Sequence, residues 1–126
     1  MSDTSWRSGL VRHGVSQPAF IEESEGKNPS MYFKFRVISA PEAEKRLSVF
    51  RKKIAESPEL GMKEMQSVLT DYLTEWSLDD PLAKETIELL RHPLLIRAFY
   101  IILQIEASDK IPDEYNQTTV DETIKK

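Results

Sequence analysis

The chain contains no cysteine, which excludes disulfides, thiol nucleophiles and thiolate metal ligands together. Histidine is nearly as scarce. His13 and His92 stand in unrelated contexts, and no His-Glu-x-x-His spacing joins carboxylates to either. Nucleophile-elbow, phosphate-loop and dinucleotide patterns are missing as well. No apolar run approaches the roughly 20 residues a bilayer-crossing helix needs. Met1-Ser2-Asp3-Thr4-Ser5 lacks the charged-then-apolar order of a secretory signal. Nor is there a surplus of positive charge: 17 basic and 21 acidic residues leave a formal net charge of −4. Nucleic acid and anionic membranes call for a concentrated positive field instead. The expectation is a soluble, cytoplasmic, non-enzymatic protein without cofactor or metal, whose partners are neither nucleic acid nor membrane.

What the sequence does hold is Pro93 to Glu106. Between Leu94 and Ile105 only Arg97 and Gln104 are plainly polar. Their spacing places both on one narrow helical stripe and leaves the rest of the circumference apolar. Such a helix must be enclosed on most sides, by this chain alone or with the help of another copy or partner. At 126 residues and 40% apolar content the chain suits one small domain with little stability to spare.

Upstream, residues 1 to 31 read as irregular, with short apolar pieces at Leu10-Val11 and Ala19-Phe20-Ile21. Met31 to Ile38 alternates Phe33, Phe35 and Val37 with Lys34 and Arg36, the period of a half-buried strand. Pro18 to Glu23 is its natural antiparallel partner across the Ser24-to-Ser30 loop, leaving an edge for something to cover. Ser39, Pro41 and Glu42 then spell a helix start, and Ala43, Leu47, Phe50 and Ile54 give its apolar face. Ser57-Pro58 opens a second helix whose stripe Met62, Met65, Leu69, Tyr72, Leu73 and Trp76 carries it to about Trp76. Asp79-Asp80-Pro81 signals a third, from Leu82 to Arg91, and His92-Pro93 separates it from the apolar fourth. Residues 107 to 126 hold few apolar anchors and read as a mobile acidic tail. The predicted architecture is mainly α: a bundle of about four helices with an N-terminal β-hairpin, residues 1–106, followed by that tail.

Charged groups in the helical part have ordinary explanations. Asp71 and Glu75 lie on a solvated helix side. Acids at Glu42 and Glu44 with bases at Arg51-Lys52-Lys53 match the helix dipole, and Glu42 and Arg46 are an i,i+4 pair. Trp76 is a core aromatic by default, but aromatics and adaptable methionines also build interfaces. Trp76, Met62 and Met65, with Phe99, Tyr100 and Ile101 from the apolar helix, are the candidate residues for partner binding or self-association.

The stretch Leu73-Thr74-Glu75-Trp76-Ser77-Leu78-Asp79-Asp80-Pro81, followed by Glu88-Leu89-Leu90-Arg91-His92-Pro93-Leu94-Leu95, resembles the tail assembly chaperones of long-tailed bacteriophages. Those proteins carry a tryptophan, a short acidic turn, a helix ending near a leucine pair, and an apolar helix with aromatics. Trp76, Asp79, Asp80, Leu89-Leu90 and Phe99-Tyr100 match that pattern, and the Phe33-to-Arg36 strand is similar too. The resemblance spans about residues 32 to 106 and leaves 1 to 31 outside. It implies a largely helical, non-enzymatic protein of the host cytoplasm that coats the tape measure protein and keeps it soluble. It further implies self-association, recruitment of tail tube protein and absence from the mature virion. Such chaperones are often made in two lengths by frameshifting, for which Lys125-Lys126 permits slippery codons. The rival expectations are a structural or adaptor subunit of the virion and, less favoured by the acidic balance, a nucleic-acid-binding regulator.

Overall fold

The computed structural model describes residues 15–115. His13, Leu10-Val11, the Gln117-Thr118-Thr119 run and Lys125-Lys126 lie outside the described residues.

The hairpin forms as the alternation implies. β1 (Ser16–Ile21) and β2 (Met31–Arg36) pair antiparallel, from Ser16 opposite Arg36 to Ile21 opposite Met31. Met31, Phe33 and Phe35 are buried on one face, while Tyr32, Lys34 and Arg36 are not. In the connecting loop Gly26 sits at φ 77, a left-handed value that glycine adopts without a Cβ clash. The buried Asn28 side chain donates to the Glu22 and Pro29 carbonyls, which holds the loop shut.

Both serine caps act as expected. The Ser39 hydroxyl accepts the Glu42 N–H at the start of α1 (Ala40–Glu56), and Ser57 accepts that of Glu59 at the start of α2 (Pro58–Tyr72). The two helices meet closely at Gly61, where a Cβ would fall 2.8 Å from Ile54 Cβ.

The mainly-α bundle is where the expectation fails. The second helix does not reach Trp76. It stops at Tyr72, and β3 (Leu73–Trp76) pairs antiparallel with the free edge of β2, Phe33 opposite Trp76 and Phe35 opposite Leu73. The result is a three-stranded antiparallel sheet of order β1-β2-β3 packed with helices, an α+β fold. Leu69, Tyr72, Leu73 and Trp76 fit a helical stripe, but the exposed N–H and C=O groups of β2 need partners more than α2 needs another turn. Thr74 and Trp76 also suit a pleated, half-buried surface.

The third helix shrinks for a local reason. Only α3 (Lys84–Ile87) is helical, because the Thr86 hydroxyl accepts the Ala83 N–H and sits 2.7 Å from the Pro81 carbonyl, fixing the turn before it. Asp79-Asp80-Pro81 is therefore an approach loop, and Ala83 stands at the cap. Leu89 and Leu90 then bond back three residues, to Thr86 and Ile87, which tightens the chain out of the helix. α4 (His92–Ile102) begins one residue earlier than its proline suggests, with Arg91 as the extended residue.

α4 is enclosed by its own chain. Leu94, Leu95, Ala98, Phe99, Ile101 and Ile102 are buried against the inner face of the sheet, Met65, Val68 and Leu69 of α2, and Phe50 of α1. The Phe50 and Phe99 rings lie 4.8 Å apart. None of the helices among the described residues is long and apolar enough to cross a membrane.

The tail expected to be mobile from residue 107 onward is docked over its first part. The Asp109 N–H donates to the Phe20 carbonyl, the Phe20 N–H donates to the Ser108 hydroxyl, and Tyr115 stacks on Tyr32. Residues 107–115 thus belong to the folded unit, and the boundary set at Glu106 falls too early.

Candidate partner-binding groove

β3 delivers Trp76 to the surface at a fixed place. The Ser77 N–H donates to the Tyr32 carbonyl and the Ser77 hydroxyl accepts the Tyr32 N–H, so the chain leaves the sheet along a set path. The loop then curls back until the Trp76 indole N–H donates to the Asp80 carbonyl at 2.7 Å. That bond fixes the ring, which is half-buried. Below it, Leu94 is buried at the start of α4, and Leu78 and Leu90 are half-buried.

These side chains form the apolar wall of a groove of about 350 Å³. Asp79, Asp80 and Arg91 contribute charge to its lining, and Leu89 stands over it 82% exposed. A second depression is lined by Lys63, Gln66, Ser67, Thr70, Asp71, Lys84 and Glu88, so its apolar surface comes from the aliphatic stems of polar residues and includes no leucine or aromatic side chain. Among the described residues no cluster of three or more His, Asp or Glu is arranged to hold a metal.

The six residues singled out from the sequence do not come together. Phe99, Ile101 and Met65 are buried in the core and present no surface to a partner. Tyr100 is half-buried against Phe99, with ring centroids 5.6 Å apart. Met62 is 37% exposed on α2, away from the lining of the groove. Trp76 alone of the six lines it. Sequence reasoning missed Leu78, Leu89, Leu90 and Leu94 as a set. One signal was present: on a helix from Leu82 to Arg91 with Ala83, Ile87 and Leu90 inward, Leu89 had no apolar face to join.

An electrostatic cluster centred on Arg46 and Glu64 ties α1 to α2. The Arg46 guanidinium turns away from its own helix to Glu64 (Nε–Oε2 3.5 Å) and Asp71 (Nη1–Oδ2 3.0 Å). Lys53 reaches the other oxygen of the buried Glu64 at 3.3 Å, which leaves that carboxylate doubly paired. Burial works against the charge of Arg46. The Asp71 hydrogen bond and the charges of Asp71 and Glu64 outweigh it and hold its pKa above the ordinary arginine value. The Arg36 guanidinium donates to the Asp71 carbonyl and lies 4.9 Å from the Tyr72 ring centroid. Asp71 and Glu75, read as merely solvated, thus have partners: Asp71 clips α2 to α1, and Glu75 pairs with Lys34 across β2 and β3.

Comparison with family models, with curated proteins and with solved structures gives no match to this chain.

Proposed function

We propose that the chain is a tail assembly chaperone. In this reading the groove between Trp76 and Leu89 receives an apolar segment of the tape measure protein, and the chain keeps that long partner soluble while tail tube protein is recruited in the host cytoplasm. The observation that carries the reading is Leu89. Burying a leucine is worth roughly 1.5–3 kcal/mol, yet this one stands in solvent at a groove also lined by a tryptophan that is pinned by its own N–H. An apolar partner segment seated in the groove would cover both. The resemblance supports the same place. Trp76, Asp79, Asp80, Leu89 and Leu90 carry most of it, and they sit in a strand, a loop and the turn after α3 but line one groove.

Co-expression with a tape measure protein tests the proposal. The unaltered chain should raise the soluble fraction of that partner, and Leu89→Asp should lose most of the effect while its urea midpoint stays in place. Equal performance by Leu89→Asp would remove the groove from the mechanism. Recovery of the chain in purified particles would favour a structural or adaptor subunit over a chaperone.

A further inference from the structure

The outer edge of β1 is occupied by residues 107–115 of the same chain. Phe20 gives its N–H to Ser108 Oγ at 2.7 Å and takes the Asp109 N–H on its carbonyl at 2.9 Å. The Glu22 N–H donates to Asp109 Oδ2 at 2.8 Å. From α4, Arg97 holds the same carboxylate with both terminal nitrogens at 3.4 Å, and its Nε makes a 2.8 Å ionic contact with Glu106. On the sheet face opposite Met31, Phe33 and Phe35, Phe20 stands across from Tyr32. Tyr115 closes over that pair, 4.2 Å from the Tyr32 ring at an interplanar angle of 7°.

This strap is joined to the body by a short, tight turn. Only Leu103 to Glu106 separate it from α4, and Gln104 adopts φ 65, a left-handed value strained for a residue with a Cβ. The Ile105 and Glu106 N–H groups both return to the Tyr100 carbonyl, and Gln104 is tied to the Ile38 carbonyl. Short hinges under strain invite exchange of the segment they carry.

We infer that residues 107–115 are exchanged between two copies of the chain, each strap lying on β1 and Tyr32 of the other. Each of these contacts between strap and body is to a group that a second copy presents identically, so a reciprocal exchange closes as a two-fold dimer. The contacts made in the closed monomer and in the dimer cancel. The balance then rests on the hinge, which favours exchange, and on the entropy of association, which concentration offsets. A strap that lifts without being exchanged leaves an unpaired strand edge and two aromatic rings in water. The exchanged state covers both. The occupant is another copy and not a foreign peptide because the site already fits this segment in three places: a hydroxyl at the Phe20 amide, a carboxylate at Arg97, and an aromatic ring six residues on.

The lack of native cysteine makes the test direct. Glu22 and Lys110 are exposed and flank the strap contact. A Glu22→Cys chain mixed and concentrated with a Lys110→Cys chain should give an interchain product with a short bis-maleimide, the double variant in one chain serving as the closed-strap control. Light scattering should show a dimer that grows with concentration. Deleting Ile105 should strengthen it, and inserting Gly-Ser-Gly-Ser after Glu106 should weaken it about tenfold or more, the hinge being relaxed in both copies. A mass that stays monomeric in both the unaltered and the Ile105-deleted chain would overturn the inference. So would a dimer in which the Glu22→Cys and Lys110→Cys chains give no interchain cross-link, since another surface, such as the Trp76 groove, would then hold it.

Discussion

Phe99→Ala is the perturbation whose size the packing defines most closely. The ring is fully buried, 4.8 Å from Phe50 and 5.6 Å from Tyr100, on a helix flanked by the sheet, α2 and α1. Truncating it removes the transfer free energy of the ring and leaves a cavity, together about 3–5 kcal/mol for a buried phenylalanine. The tilted ring pair with Phe50 contributes about 0.5–1.5 kcal/mol within that total. Collapse of the cavity is resisted, because the neighbouring Leu95, Ala98 and Ile102 on the same helix are themselves buried. A domain of this size has roughly 5–15 kcal/mol in all, so about a fifth of the stability goes at the least, and nearly all of it in a marginal domain. With a urea slope of about 1–3 kcal/mol/M, the midpoint should fall by at least about 1 M. Urea unfolding followed by circular dichroism measures this. A loss below about 1 kcal/mol would refute the reasoning, because only a ring at the surface, or a site free to close over the gap, allows it.

The remaining predictions concern the edges of the fold. Gly61→Ala should cost about 1–3 kcal/mol in the same assay, since the added Cβ meets Ile54 Cβ at 2.8 Å and its Cα at 3.1 Å. An unchanged midpoint would mean that α1 and α2 move apart freely. Burial raises the carboxyl pKa of Asp109, but the Glu22 N–H and the Arg97 guanidinium outweigh it and hold that pKa below the ordinary carboxylate value. The sign follows: the docking it contributes is fully present above the ordinary carboxylate pKa and is lost as pH falls through the lower folded value. The Glu22 amide resonance should therefore shift further in that acid window in the unaltered chain than in Asp109→Asn. Equal shifts in the two chains would assign the titration to another group.

Local signals and demands from across the fold explain why part of this molecule was legible and part was not. Ser39 and Ser57 announced their helices because a cap is written in adjacent residues and answered within one turn. The strand at Phe33 and Phe35 was equally plain, since its period is local. Leu73 to Trp76 was not, because a four-residue run can satisfy the helical and the extended period at once. What decides it is the free edge of β2, about forty residues upstream in the chain. The same applies to the groove. Trp76 stood out in the sequence and Leu89 did not, and only the Thr86 and Asp80 turns that fold the loop back bring both to one groove. The strap lies at the far end of this scale. Its composition is that of a solvated tail, and its anchoring uses one hydroxyl, one carboxylate and one ring against partners nearly ninety residues away. Yet the alternation of Met31 to Ile38 already implied a hairpin with an exposed edge, and an exposed edge in a small protein needs a cover. The cover turns out to be the segment that composition alone assigned to solvent. Polar composition therefore marks a segment as unable to form a core, while leaving open whether it completes the edge of a sheet built elsewhere in the chain.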